Sequence, residues 1–311
     1  MKKKYIALFA LLCMLFLSAC GRAVPQEQVS ETSLPTENET ETQAEEESWF
    51  DVWDENYVSP VSDDPMAICN LFPDPFFARE MAQLFNRAVT DAITYEELAA
   101  YEGGIDCGPG LLKSVECIGL LTGVTSFSSC KNELQTLPAE IGKLTSLTEI
   151  NLLKSYCFHV IPPEIGKLKK LTYFDARMTS LESLPPEIGD CEALEYLYVG
   201  NTGITSVPPE IGRLKKLRVL VLSSTGITSV PDSICELTSL ESLYIAHTGL
   251  TALPKNIGNL QNLHRLHLFG CKLKKLPKSM KNLKNLRHLN VYDNFQLDEE
   301  YKKWFDKKVY T

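Results

Sequence analysis

The chain has 311 residues and a formal net charge of −9, but the charge is unevenly distributed. Residues 2–4 contribute +3 and residues 22–64 contribute −12, whereas 27 basic residues balance 27 acidic ones from Pro65 onward. The acidic character therefore belongs to one segment, and it gives no support for nucleic-acid binding. We predict a partner other than a nucleic acid.

The first residues predict a secretion signal. Three lysines at positions 2–4 precede an apolar run over residues 5–17, which is shorter than the roughly 20 residues that span a bilayer. The run ends in the sequence LSACG around Cys20, which resembles the lipobox of bacterial lipoproteins. The resemblance implies a signal peptide over residues 1–19, diacylglycerol on the Cys20 sulfur, and a secreted protein anchored at the cell envelope. An ordinary cleaved signal and an uncleaved anchor are the alternatives.

Residues 20–64 are predicted to form an acidic, disordered tether. Residues 22–64 hold thirteen acidic residues and one basic residue among scattered Ser, Thr, Pro and Gln. Such a segment cannot bury enough apolar surface to order itself, and its charges repel one another. A spacer between lipid and domain is therefore favoured over an acidic binding tail.

Residues 65–123 are predicted to form a helical N-terminal cap. The sequence FPDPFFAREMAQLFNRAV, which begins at Phe72, places apolar residues at helical spacing. Thr94 and Glu97 form a capping box that opens a second helix through Tyr101. Two small helices followed by the LTG of residues 121–123 resemble the N-terminal cap of internalin-like bacterial surface proteins.

Residues 124–297 repeat one pattern, L-x-x-L-x-L-x-x-(N/T)-x-L-x-x-L-P-x-x-I-G-x-L, with a spacing of 23 residues, once 24. The pattern resembles the leucine-rich repeat family, in its short class with the motif LPxxIGxL. The eight copies start at Val124, Leu147, Leu171, Leu194, Leu217, Leu240, Leu263 and Leu286.

Each copy predicts a short strand followed by a helical or 3₁₀ return, and its leucines can be buried only against neighbouring copies. We therefore predict an α/β solenoid with a parallel concave sheet of about eight short strands. Residues 298–311 are predicted to close its far end as a cap helix. Threonines at the Asn position of the pattern are expected to donate to neighbouring carbonyls in a similar, weaker ladder. These threonines are Thr179, Thr202, Thr225 and Thr248.

The outward strand positions predict a binding surface on the concave side. Tyrosine and valine concentrate in the middle copies, which is the composition of an interface core, although both are also good strand formers. The predicted ligand-binding residues are Tyr173, Tyr196, Tyr198, Val219, Val221, Tyr244 and His267.

The sequence contains few features that indicate catalysis. The chain has no GxSxG, HExxH or P-loop motif, and an open sheet is expected to offer no pocket that shifts a pKa. We predict no enzymatic activity, no cofactor and no metal. The cysteines after Cys20 lack CxxC spacing, and we expect mostly free, buried thiols such as Cys191 and Cys271. A Cys107–Cys117 bridge is the alternative in the cap.

These observations predict a lipid-anchored, extracytoplasmic bacterial protein that binds another protein through the concave sheet, most simply as a monomer. Two alternatives stay open. One is a carbohydrate or cell-wall binder, because tyrosines also stack on sugars, and the other is a structural envelope protein without a dedicated ligand.

Overall fold

The structure, a computed structural model, describes residues 65–297. The predicted signal peptide with Cys20, the acidic tether and the C-terminal cap lie outside the described residues. In the part of the chain that the structure describes, every helix is too short or too polar to cross a bilayer.

The N-terminal cap contains three helices and one small antiparallel sheet. Strand β1 (Met66–Ala67) pairs with β2 (Ala92–Ile93). Helices α1 (Ile68–Leu71) and α2 (Pro75–Leu84) lie between these strands, and α3 (Tyr95–Ala99) follows them. The two predicted helices correspond to α2 and α3. The β1–β2 pair was not predicted, because two-residue strands leave no hydrophobic alternation to recognise.

One buried carboxylate ties helix α2 to the chain before the first repeat. Asp74 is the N-cap of α2, and its Oδ1 accepts from the backbone amides of Phe76 at 2.9 Å and Phe77 at 3.1 Å. Its Oδ2 accepts from the amides of Lys113 at 2.8 Å and Ser114 at 2.9 Å. The same side chain therefore starts the helix and fixes the segment packed beside it.

The predicted capping box of α3 is confirmed. Thr94 Oγ1 accepts from the Glu97 amide at 3.1 Å, and Glu97 Oε2 accepts from the Thr94 amide at 2.9 Å. Helix α3 is shorter than expected, because it ends at Ala99 rather than Tyr101.

A single parallel sheet forms the concave side of the solenoid. Within residues 65–297 it has nine strands, each hydrogen-bonded to the next one along the chain. The additional strand, β3, comes from the cap and pairs with the first repeat strand. The strands are β3 (Gly104–Asp106), β4 (Ser126–Ser128), β5 (Glu149–Asn151), β6 (Tyr173–Asp175), β7 (Tyr196–Tyr198), β8 (Val219–Val221), β9 (Ser242–Tyr244), β10 (Arg265–His267) and β11 (His288–Asn290).

Short 3₁₀ helices form the convex side, opposite the sheet. Most of them follow a proline, whose restricted φ sets the direction of the turn. They span Ile118–Leu120, Ala139–Lys143, Pro163–Lys167, Pro186–Asp190, Pro209–Arg213, Asp232–Glu236, Ile257–Asn259 and Lys278–Asn282.

The core lies between the sheet and the 3₁₀ helices, and it runs without interruption from cap to last coil. The central residue of each inner strand points inward, so that Ile150, Phe174 and Leu197 form one buried row across β5, β6 and β7. Each coil thus buries its apolar side chains against the coils above and below.

Glycine after the isoleucine of the motif lets neighbouring 3₁₀ helices approach closely. A Cβ at Gly189 would lie 2.3 Å from the carbonyl oxygen of Glu210 in the next coil. Cys235 occupies the same motif position two coils later, and the next 3₁₀ helix along the chain has three residues instead of the five of its neighbours. The extra side chain therefore coincides with a shortened turn in the coil packed against it.

The threonine ladder differs from the expectation. Thr202 Oγ1 donates to the carbonyl of Val199 at 2.7 Å, three residues earlier in its own coil, and Thr225 bonds Leu222 in the same way. Asn132 instead reaches the preceding strand segment, where its Nδ2 donates to Cys107 at 3.0 Å. These two threonines therefore cap their own turns. Contacts between coils at this motif position do occur elsewhere, because the Ser155 hydroxyl donates to the Ser129 carbonyl of the preceding coil and Thr248 contacts the Cys271 sulfur of the next.

One left-handed residue recurs in every coil, immediately before the Asn or Thr position. Its φ lies between 54° and 66° throughout the repeats, a conformation that costs a non-glycine residue roughly 1–2 kcal/mol. Glycine fills it at Gly270, where a Cβ would also lie 2.9 Å from His247 Nδ1. The residues are Lys131, Lys154, Met178, Asn201, Ser224, His247, Gly270 and Asp293.

Cys191 and Cys271 are buried free thiols, as predicted. Burial raises the pKa of the Cys191 thiol to about 12, so it stays protonated and donates to the carbonyl of Ile165 at 3.2 Å. Cys107 and Cys117 are both free, so the alternative of a bridge between them is not realised.

Candidate binding site on the concave sheet

The strand register places the predicted site residues on one face. The first and third residues of each strand point away from the core, and neighbouring strands align them in two columns. We call the surface formed by these columns from β3 to β11 the concave face. All seven predicted residues lie on it between β6 and β10: Tyr173, Tyr196, Tyr198, Val219, Val221, Tyr244 and His267.

Three tyrosines form a cluster at the centre of the concave face. The ring centroids of Tyr173 and Tyr198 are 5.4 Å apart, and those of Tyr173 and Tyr196 are 6.2 Å apart. Tyr196 and Tyr198 lie with their ring planes 6° apart at 6.4 Å. Each of the three is half-buried, so the cluster combines mutual support with exposed ring surface.

An arginine and a buried aspartate fix one side of this cluster. Asp175 is 1% exposed, although it stands at an outward position. Arg177 donates to it through Nε at 3.0 Å and through Nη2 at 2.5 Å. The same guanidinium lies over the ring of Tyr198 at 4.7 Å from the centroid. Asp175 also accepts from the Tyr173 hydroxyl at 3.2 Å, so one carboxylate orients both an arginine and a tyrosine.

A second arginine supports the other side of the cluster. Arg218 Nη1 donates to the Tyr196 hydroxyl at 3.1 Å, and its Nε donates to Glu241 at 2.9 Å. Glu195 lies 3.6 Å from the same guanidinium. Arg218 stands one residue before the outward Val219, at the rim of the sheet, and it holds the Tyr196 ring in place through its hydroxyl.

The remaining predicted residues continue the surface toward the last coil. Val219 and Val221 lie beside Tyr196 and Tyr198 in the register, and Tyr244 lies beside Val221. Tyr244 and His267 form a second ring pair, with centroids 4.7 Å apart. Burial, followed by the charges of His288 and Arg265, lowers the pKa of His267 below its usual value.

Sequence reasoning missed the two arginines. Neither Arg177 nor Arg218 is the first or third residue of a strand, so the pattern of outward strand positions does not include them. The available signal was spacing. Arg177 follows Asp175 by two residues, and Arg218 follows Tyr196 by 22 residues, which places it one residue before Val219, the partner of Tyr196 in the next strand.

The expectation that the open sheet shifts no pKa is wrong for Tyr173. Partial burial, reinforced by the negative charge of Asp175 and by the hydrogen bond to it, raises the pKa of the Tyr173 phenol to about 12. Burial also raises the pKa of Tyr198. The side chains of the cluster shield each other from water, even though the sheet as a whole is open.

The raised pKa of Tyr173 gives a prediction about titration. We expect one tyrosine to ionise near pH 12 in the folded chain and to disappear from the titration in Tyr173→Phe. Asp175→Asn should lower this pKa, because it removes the carboxylate charge. Since the unfolded phenol ionises near pH 10, this tyrosine stabilises the fold fully below pH 10, and its contribution is lost as pH rises toward 12. Absorbance at the phenolate wavelength measures the titration, and a Tyr173→Phe curve identical to wild type contradicts it.

In the residues that the structure describes, no three or more His, Cys, Asp and Glu side chains converge as metal ligands. Two histidines near the last coils contact aromatic rings instead: His267 packs against Tyr244, and His247 lies 4.6 Å from Phe269 in an edge-to-face contact.

Residues 187–307 match the family described as "Leucine-rich repeat region". Together with the parallel sheet and the short convex turns, this match shows a leucine-rich repeat fold in the part of the chain that the structure describes. A comparison with curated proteins found no match.

Two solved structures show the likeness of the fold. Internalin C2 from Listeria monocytogenes aligns with a TM-score of 0.62 and 21% identity over 75% of this chain and 99% of that chain. The ectodomain of the membrane receptor kinase GASSHO1/SCHENGEN3 from Arabidopsis thaliana, in complex with CASPARIAN STRIP INTEGRITY FACTOR 2, aligns with a TM-score of 0.53 and 28% identity over 60% of this chain. The alignment covers 22% of that ectodomain.

Proposed function

We propose that the chain is a non-catalytic protein-binding module that holds a partner protein on its concave face. The observation that carries the proposal is the tyrosine cluster, whose rings are oriented before any partner binds. The Tyr173 hydroxyl donates to Asp175. Arg177 lies over the Tyr198 ring, and Arg218 donates to the Tyr196 hydroxyl. Preorganised aromatic side chains lose little conformational entropy on binding, and tyrosine and arginine are enriched among the residues that dominate interface energetics.

The dimensions of the concave face also support a protein partner. Nine strands at about 4.8 Å spacing extend over roughly 38 Å, the scale of a protein or peptide interface. The Arabidopsis receptor ectodomain offers a precedent for a leucine-rich repeat array in complex with a polypeptide.

We also propose that the chain is located at the bacterial cell envelope. The lipobox-like sequence before Cys20 supports secretion and a lipid anchor at the bacterial cell envelope, with the acidic segment of residues 20–64 as the connection to the domain. We place the chain there as a monomer, with its concave face available to a protein outside the cytoplasm.

A capture experiment tests the proposal. The chain from residue 20 onward, with Cys20→Ser to prevent lipid attachment, is immobilised and exposed to envelope and host extracts. We expect a protein that wild type retains and that Tyr196→Ala/Tyr198→Ala loses, with affinity reduced at least about 30-fold, because each lost anchor costs roughly 1–2 kcal/mol.

The matched control is Val160→Ser, which alters an exposed apolar residue that lies outside the concave sheet. Retention by the control and loss by the double variant place the site on the tyrosines. Equal retention by both variants places it elsewhere and refutes the site. A glycan array that reports binding, where no protein is captured, supports the carbohydrate alternative instead.

A further inference from the structure

The solenoid carries a strong charge asymmetry along its length. Residues 242–292 contain nine Lys and Arg side chains and no Asp or Glu, which gives +9 with histidines neutral. Residues 65–241 contain 14 basic and 22 acidic side chains, a net charge of −8. The net charge from Pro65 onward is zero, but this sum combines an acidic segment, residues 65–241, with a basic segment, residues 242–292.

Basic residues are concentrated in the last full coil. Seven cations fall between positions 272 and 287, and all seven are exposed. In the part of the chain that the structure describes, none of them forms an ion pair, in contrast to Arg213 with Asp190 and Lys215 with Glu236 in earlier coils. The seven are Lys272, Lys274, Lys275, Lys278, Lys281, Lys284 and Arg287.

These cations lie away from the tyrosine cluster. Lys278 and Lys281 belong to the convex 3₁₀ helix Lys278–Asn282, and Lys274 and Lys275 stand on the segment that leads into it from β10. Lys255 occupies the position of Lys278 one coil earlier, 23 residues before it, and extends the basic surface. We call Lys274, Lys275, Lys278 and Lys281 the lysine patch.

We propose that the lysine patch binds the surface of a lipid bilayer that contains anionic phospholipids. Lysine ammonium groups act as mobile point charges, and several of them on a convex turn suit a diffuse layer of phosphate head groups, with about 1 kcal/mol gained per lysine near the surface. Among the described residues, the cations that lie over aromatic rings are arginines and none is a lysine of the patch, so the patch lacks the paired ring and cation that favour single-stranded nucleic acid. Docking through the convex side leaves the concave face open, so this inference is independent of the proposed protein-binding function.

A vesicle experiment tests the inference. The chain from residue 20 onward with Cys20→Ser is sedimented with vesicles of phosphatidylglycerol and phosphatidylcholine in equal parts, and separately with phosphatidylcholine alone. We expect binding only to the anionic vesicles and release as the salt concentration rises toward about 0.5 M. Replacing the four lysines of the patch with Gln should raise the lipid concentration for half-maximal binding at least tenfold.

The control variant replaces Lys131, Lys143, Lys167 and Lys170 with Gln, which removes the same number of exposed lysines from earlier coils. Its binding should stay within about twofold of wild type, and circular dichroism checks that both quadruple variants melt as wild type does. Equal weakening by the two variants, or absence of binding to anionic vesicles, overturns the inference. Binding to soluble polyphosphate but not to vesicles assigns the patch to a soluble polyanion and also overturns it.

Discussion

Phe174→Ala is expected to lower the free energy of unfolding by about 3–5 kcal/mol. Phe174 is fully buried at the centre of β6, between Ile150 and Leu197 of the neighbouring strands. Truncation leaves a cavity that closes poorly, because the backbones on both sides are held by continuous ladders of hydrogen bonds. Chemical denaturation monitored by circular dichroism measures the effect.

Two comparisons separate this loss from a general sensitivity to mutation. Phe174→Leu keeps much of the volume and should cost about 1–1.5 kcal/mol, while Leu111→Ala changes a side chain that is 49% exposed and should cost under about 0.5 kcal/mol. If the Phe174→Ala and Leu111→Ala variants have the same free energy of unfolding, then Phe174 does not belong to a core that neighbouring coils share. Because coils depend on their neighbours, the variant should also show a broader transition as the array divides at β6.

Asn132→Ala is expected to lower the free energy of unfolding by about 3 kcal/mol. The N-terminal cap should then unfold before the repeats do. The Asn132 amide donates to the carbonyls of Cys107 at 3.0 Å and Gly108 at 2.7 Å, and its oxygen accepts from the Leu112 amide at 3.2 Å. Alanine leaves these groups without partners in a buried site, at roughly 1–3 kcal/mol for each one left unsatisfied. Hydrogen exchange of the β3 amide of Ile105 reports the loss directly.

Thr202→Ala is the matched control at the same motif position. Its hydroxyl makes one hydrogen bond within its own coil, so we expect a cost near 1 kcal/mol and no change in exchange at β3. If the two substitutions lower the free energy of unfolding equally, then the bonds that Asn132 makes between coils add no stability beyond that of a bond within one turn.

The repeats could be predicted from the sequence because each coil is formed by residues close together in the chain, and the same pattern recurs in every copy. An apolar residue at every second strand position leaves one assignment of inner and outer sides, and eight copies fix the register between strands. The pattern therefore predicts that Tyr173, Tyr196, Tyr198 and Tyr244 share one face, as they do in the structure.

The details of the candidate site depend on side-chain packing, which the repeat pattern does not encode. The strand pattern assigns Asp175 to an outward position, but Arg177 and Tyr173 enclose it and leave it buried. Strand β3 was missed because the sequence Gly104–Asp106 is short and begins with a residue of low strand propensity. It becomes a strand because the exposed edge of β4 offers it hydrogen-bonding partners.

The left-handed residue that recurs once per coil has a consequence for how the molecule can change in size. Every coil leaves the sheet along the same path, so whole 23-residue units are exchangeable blocks with matching joints. Duplication of one block in the gene would lengthen the inner wall by one strand while both ends kept their present contacts. The length of the concave face is thus adjustable in steps of one strand spacing.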